Sequence, residues 1–287
     1  MPIKRILAPL QGGDSDDAVL GTALAVAKDF DARIVGLFVR PDPSEALPYL
    51  GDGVSGQVIE ELLQAAKEGA DAACERARAK LAGAAQKAGV PQVKKGAAEL
   101  PSVRFADVMG RRDLVIAEQS RLSDLIVFGS RESDGEMVGG DALEAAMMSA
   151  GRPVLIAPRK SAGNVGGTVA IGWDDSPEAA HAITAAIPFL ERAGKVVILC
   201  IGGQELDPGP GSTLADYLAL HGVKADVHLV DAESRPIGEV LLEHAQKHGA
   251  NLLVMGGYGH SRLRELIIGG ATRHVRSHAT IPILMAH

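Results

Sequence analysis

The sequence predicts an α/β protein built as two tandem copies of one unit. Three observations lead there: apolar, β-rich runs alternate with helix-period segments along the chain, the same order restarts near residue 167, and short stretches of the two halves read alike. Strands that alternate with helices imply parallel pairing and a sheet covered on both faces.

In the first half, residues 3–10 (IKRILAPL) are an apolar strand closed by Gly12-Gly13. Ala18, Leu20, Leu24, Ala25 and Ala27 then recur at helical spacing over 14–30, with Asp14 or Ser15 as the N-cap. Residues 33–39 (RIVGLFV) form the next strand, and 56–88 reads as a long amphipathic helix. A buried strand at 124–128 ends at Gly129, a helix covers 141–150, and 153–157 (PVLIA) closes the unit.

The second half repeats this order. A strand at 167–172 is followed by Ser176-Pro177-Glu178, a helix start with proline near the first turn. Strands follow at 195–201, 225–230, 251–255 and 281–285, with helices at 212–221, 236–248 and 262–279. LSDLIVFGS at 122–130 parallels GANLLVMGG at 249–257, and RPVLIAP at 152–158 parallels IPILMAH at 281–287. Gln11 aligns with Asp174, 163 positions on, whereas Gly129 and Gly256 are only 127 apart, so the first copy is longer internally by 36 residues. The surplus falls around the Pro-rich segment 41–53 and the helix after it. Lys160 to Gly167 is polar and Gly-rich, a linker by composition. Domains are therefore expected at 1–160 and 166–287.

Composition removes several functions. Aromatics at 3% give no stacking surface for single strands, and a net charge of −7 disfavours contact with phosphate backbones. No stretch approaches the ~20 apolar residues of a membrane span. Cys74 and Cys200, outside any CxxC pair, suit a reducing compartment and read as small core residues. The expectation is a cytoplasmic protein without nucleic-acid or membrane partners.

The stretch Gly256-Gly257-Tyr258-Gly259-His260-Ser261-Arg262, running on to Gly269-Gly270-Ala271-Thr272, carries the chemistry. It follows a buried strand and opens a helix at the carboxyl edge of a parallel sheet, where open α/β sheets bind ligands. Glycines allow close backbone approach to a phosphate, and N–H groups at a helix start favour anions. Arg262 and His260 add side chains that suit an anion.

Gly256, two residues, Gly259, nine residues, Gly269 and then Gly270 is the spacing through which the chain resembles the universal stress protein family, whose last position is Ser or Thr. The resemblance extends over both copies. It implies two tandem doubly wound (Rossmann-like) units, each a five-stranded parallel sheet flanked by helices. It also implies an adenine nucleotide, ATP, held in the second unit. Asp174 would help hold it, Gly172 and Ile201 would border adenine and ribose, and Met255 and Gly256 would line the floor. Gly259, Gly269, Gly270, Ala271 and Thr272 would surround the phosphates. Asp174 with Asp175 could hold Mg²⁺ through oxygen ligands or repel a triphosphate; as charges at a helix N-terminus they have a bland reading of equal weight.

The first copy has Gln11 in place of the acid, no second glycine at the position that matches Gly259, and Asp141 opposite Gly270, although Gly139-Gly140 survives. A carboxylate at a phosphate position opposes binding, so one working site per chain is expected. His244 with His248, and His274 with His278, have the four-residue spacing of helical metal ligands but no third partner in a motif, and read as surface. Gln11-Gly12-Gly13-Asp14-Ser15 resembles the Ser-Gly-Gly-x-Asp-Ser loop of N-type ATP pyrophosphatases, without its leading serine and spacer. Neither a Walker motif nor a nucleophile–base pair stands out. The expected function is a non-catalytic, ATP-binding stress-response switch, the alternative a nucleotide-free scaffold. Family members pair through their last strand; here 153–157 and 281–286 could do so within one chain, and homodimers could still form.

Overall fold

The computed structural model describes residues 2–41, 55–94, 96, 99–130, 140–202, 209–257 and 270–287. The first half runs β1 (Arg5–Leu10), α1 (Ser15–Phe30), β2 (Arg33–Arg40), α2 (Gly56–Ala88), β3 (Ser102–Met109), α3 (Arg112–Ser120), β4 (Leu125–Gly129), α4 (Gly140–Glu144) and β5 (Val154–Ala157). The second runs β6 (Thr168–Gly172), α5 (Pro177–Leu190), β7 (Lys195–Gly202), α6 (Gly209–Leu220), β8 (Ala225–Asp231), α7 (Ile237–Lys247), β9 (Leu252–Gly256), α8 (Gly270–His278) and β10 (Ile283–Ala286).

All ten strands form one sheet in the order β3-β2-β1-β4-β5-β10-β9-β6-β7-β8. Each half is five parallel strands, and the halves join where β10 runs antiparallel to β5. The last strands thus pair within one molecule. Leu155 lies opposite Leu284, with Val154 opposite Met285 and Ile156 opposite Ile283. A pseudo-twofold axis passes between the two leucines. It stands perpendicular to the sheet, because α1 and α5, with α2 and α6, pack into one apolar cluster on one face. The elements α3, α4, α7 and α8 cover the other face.

Local sequence accounts for most boundaries. Ser176 caps α5: its Oγ accepts from the Ala179 N–H at 3.1 Å, and Pro177 fills the first helical position, where no N–H is needed. The helix α2 ends on Gly89 at φ 67°, a left-handed stop suited to glycine. Only Cys74, Ala77, Leu81 and Ala85 of α2 are buried, all in its second half, so the surplus of the first copy extends this helix beyond the core.

The structure departs from the sequence reading at several elements. The periodicity leaves β3 and α3 unread; β3 is an edge strand whose polar Arg104 and Asp107 hide its pattern, and α3 has nine residues. Asp14 stands at the N-cap of α1 as expected, but its side chain makes no capping hydrogen bond. The helix expected over 141–150 is α4 followed by a π-type turn over Ala145–Ser149. Within the helix expected over 262–279, α8 covers Gly270–His278 in agreement, and 262–269 lie outside the described residues. The linker is packed: Val165 and Gly166 are buried, and a Cβ on Gly166 would touch Phe189 at 3.2 Å. Among the described residues no helix is long and apolar enough to cross a membrane.

Candidate functional site

In each half the strand order reverses beside the first strand, and open α/β sheets bind ligands outside the carboxyl ends of the strands at such a reversal. In the second half, β6 lies between β9 and β7. Gly172 ends β6 beside Met255 of β9, and Gly256 ends β9 in register with Ala286. Ile201 stands near the matching end of β7. Four of the expected residues therefore meet at one edge.

Two glycines serve close approach. A Cβ on Gly256 would lie 2.7 Å from the Ala179 nitrogen and 3.0 Å from the Glu178 carbonyl carbon, so the first turn of α5 rests on the end of β9. A Cβ on Gly238 in α7 would lie 2.7 Å from the Ala271 oxygen, which draws α8 against α7. Thr272 is buried and Ala271 half-buried, while Gly270 is exposed, with no atom of the described residues within 4 Å of an added Cβ.

Asp174 and Asp175 are exposed. The Asp174 Oδ1 accepts from the Ser176 hydroxyl at 2.6 Å and from its N–H at 3.2 Å. Asp175 adopts φ 59°, the left-handed region where side chains are disfavoured. Trp173 packs against the cluster that holds α1 and α5, and its Nε1 is buried without a partner among the described residues.

The first half has the same frame with a different filling. Gly12, the counterpart of Asp175, also has positive φ, at 76°. Asp16 is 1% exposed, and its carboxylate turns back onto the loop. Oδ1 accepts from the Gln11 N–H at 3.0 Å and Oδ2 from the Gly12 N–H at 2.8 Å. Burial pushes the Asp16 carboxyl up, opposed by those two amides and by Lys80. The long α2 clamps the same loop, since Arg76 Nε donates to the Gly12 carbonyl at 3.1 Å. A cavity of 330 Å³ remains beside it, lined by Gln11, Phe38, Arg111 and Arg112 among others.

In the second half the counterpart of Asp16 is Ala179. It has no carboxylate to lay on the amides of Asp174 and Asp175. Sequence reasoning missed Asp16. The available signal was an acid inside an otherwise apolar helical face, and the Gln11 substitution drew attention away from it.

The remaining expectations divide. Gly259, His260, Arg262 and Gly269 lie outside the described residues, as do the side chain of Asp141 and the loop after Gly129. Cys74 and Cys200 are buried in α2 and β7, and burial pushes both thiols up. His274 and His278 stack at 4.2 Å between ring centroids, and His248 packs on His228 at 4.3 Å. Among the described residues no three His, Cys, Asp or Glu side chains converge as metal ligands would.

The Universal stress protein family model matches residues 2–158 and, again, 167–287. A curated universal stress protein from Synechocystis sp. is 25% identical over 175 residues, 56% of this chain and 57% of that protein. The chain thus spans little more than half the length of that relative. Among solved structures, a universal stress protein from Archaeoglobus fulgidus aligns with 98% of this chain and 97% of its own, at 17% identity and a TM-score of 0.69. A functionally unknown protein from Pseudomonas aeruginosa aligns over 98% and 92%, at 16% identity and a TM-score of 0.59. These two likenesses show a shared fold over the full length. The chain belongs to the universal stress protein family and carries two of its domains in tandem.

Proposed function

We propose that the second domain binds one adenine nucleotide, ATP, and that the protein is a non-catalytic stress-response switch whose occupancy alters its contacts with a protein partner or a second copy of itself. The observation that carries this reading is the contrast between Asp16 and Ala179. In the first domain a carboxylate lies on the backbone amides at the mouth of the crevice; in the second that place holds a methyl group, which leaves the corresponding amides to an incoming polar ligand.

The residues present fit the group. Gly172, Ile201, Met255 and Gly256 supply a small, mostly apolar edge suited to adenine and ribose, with Asp174 as acceptor for hydroxyl or amino groups. Gly270, Ala271 and Thr272 open α8, where helix N–H groups favour anions, and would form the phosphate side, to which the family resemblance adds Gly259 and Gly269. His260 and Arg262 would add to it. One oxygen of Asp174 is engaged by Ser176, so a Mg²⁺ accompanying the phosphates would use the other Asp174 oxygen and Asp175.

Mass spectrometry of small molecules released from freshly purified, acid-denatured protein tests the reading. About one ATP per chain is expected, falling sharply in Asp174→Ala. No released nucleotide, together with a melting temperature unmoved by ATP and Mg²⁺, would replace the switch with a nucleotide-free scaffold.

A further inference from the structure

The fused pair has one linker and two equivalent places for it. From the end of β5 the chain crosses α1 and enters β6 as an irregular, non-helical segment. Ser161 lies so close to Gly21 that any Cβ on that glycine would collide with it. The Ala162 N–H reaches the Thr22 hydroxyl at 3.5 Å, and Val165 is buried.

The pseudo-twofold axis carries this path across the same face of the sheet. Gly21 and Thr22 become Thr184 and Ala185, the end of β5 becomes the end of β10, and the approach to β6 becomes Ile3 before β1. Even the anchor repeats: Asn251 accepts from the Thr168 N–H at 3.0 Å, and its counterpart Asp124 accepts from the Lys4 and Arg5 N–H groups at 2.8 and 2.9 Å. Where the second linker would run, Ile3, Thr184, Ala185 and Ala286 line a cavity of 490 Å³. The cleft is the symmetry counterpart of the place that the linker fills.

We propose that this cleft docks an irregular peptide segment of a partner protein, seated as the linker is seated on α1. The differences between the two places state its chemistry. Thr184 replaces Gly21, and its hydroxyl is turned to the Ala180 carbonyl at 3.0 Å, so its carbons fill the space that Ser161 uses on the other side. The incoming residue at that point is glycine. Arg152 and His181 replace Ile281 and Ala18, and Asp124 replaces Asn251, so the lining carries a guanidinium and a carboxylate where its counterpart carries no charge. The Asp124 carboxylate is already engaged by two backbone amides, and Arg152 Nη2 donates to the Arg121 carbonyl at 2.6 Å, leaving its other donors. An acidic residue next to the glycine matches that lining. The proposal does not depend on the nucleotide reading.

The probe is a synthetic peptide with the linker sequence 158–166 carrying Lys160→Glu and Ser161→Gly, titrated into the full ¹⁵N-labelled chain. Saturable shifts are expected at the amides of Ile3, Gly151, Thr184 and Ala185. Several-fold weaker binding is expected for the unmodified linker peptide, and loss of the shifts in Thr184→Trp. Thr184 is exposed; should the tryptophan variant fail to fold, Thr184→Gln serves, with binding weakened several-fold. The proposal is overturned by no saturable shift at millimolar peptide, by shifts that persist unchanged in the Thr184 variants, or by equal binding of the two peptides.

Discussion

Leu155 and Leu284 face each other across the antiparallel junction, and each is the other's counterpart in the repeat. Both are fully buried. The two halves therefore share one core through the pair that marks their symmetry axis. Leu155→Ala leaves a cavity in both halves and should cost roughly 2–5 kcal/mol. Denaturant unfolding followed by circular dichroism should show one cooperative transition shifted as a whole. Two transitions, with only one displaced, would mean that the halves fold independently.

RPVLIAP and IPILMAH made the two last strands and their repeat legible, whereas their pairing followed only from the family resemblance. Central strands such as β1, β6 and β9 were legible for the same reason: burial on both faces leaves continuous apolar runs. The edge strand β3 was not, since Arg104 on one face and Asp107 on the other interrupt its apolar pattern. At the site, Gly172, Met255 and Gly256 were readable from their place at strand ends. Asp16 was not, because its role is set by which way its carboxylate turns, and periodicity carries no information on that.

Asp16 makes stability depend on pH. Burial dominates its shift, and the carboxyl is held above its ordinary value. Such a group favours the fold most when protonated; the contribution is complete below the unfolded pKa of about 3.9 and is lost as pH rises through the folded value. Asp16→Asn keeps an uncharged acceptor near the Gln11 and Gly12 amides. Relative to the parent, it should gain stability as pH rises from the acid side of that window to neutrality. Urea unfolding of both proteins across the window reads this directly, and a parent that gains on Asp16→Asn with rising pH would contradict it.

Asp175 holds φ 59° where the first domain uses Gly12 at 76°. Left-handed backbone costs an L-residue on the order of 1–2 kcal/mol, less for Asp, whose short polar side chain tolerates it. Asp175→Ala should therefore destabilise by about 1 kcal/mol, while Asp175→Gly should be neutral or mildly stabilising. Thermal melts of the three proteins give the order. Equal loss in both variants would assign the effect to the carboxylate rather than to the backbone.

Gly256 and Gly270 should respond oppositely to an added side chain. A Cβ on Gly256 meets backbone atoms of Ala179 and Glu178, which can yield only if the start of α5 moves. Gly256→Ala should cost about 1–3 kcal/mol, as overpacking does, and should disturb the crevice that α5 closes. No atom of the described residues lies within 4 Å of a Cβ added to Gly270 at the start of α8, so Gly270→Ser fits among them without strain and supplies a hydroxyl beside the proposed phosphate position. A single neutral hydrogen bond contributes about 0.5–1.5 kcal/mol, so Gly270→Ser should tighten ATP binding by roughly twofold to tenfold while leaving the melting temperature of the free protein nearly unchanged. Isothermal titration of the parent and both variants checks the pair. Tighter binding in Gly270→Ser with weaker binding in Gly256→Ala is the expected pattern. If Gly270→Ser folds normally and leaves ATP affinity unmoved, the start of α8 is not the phosphate side of the site.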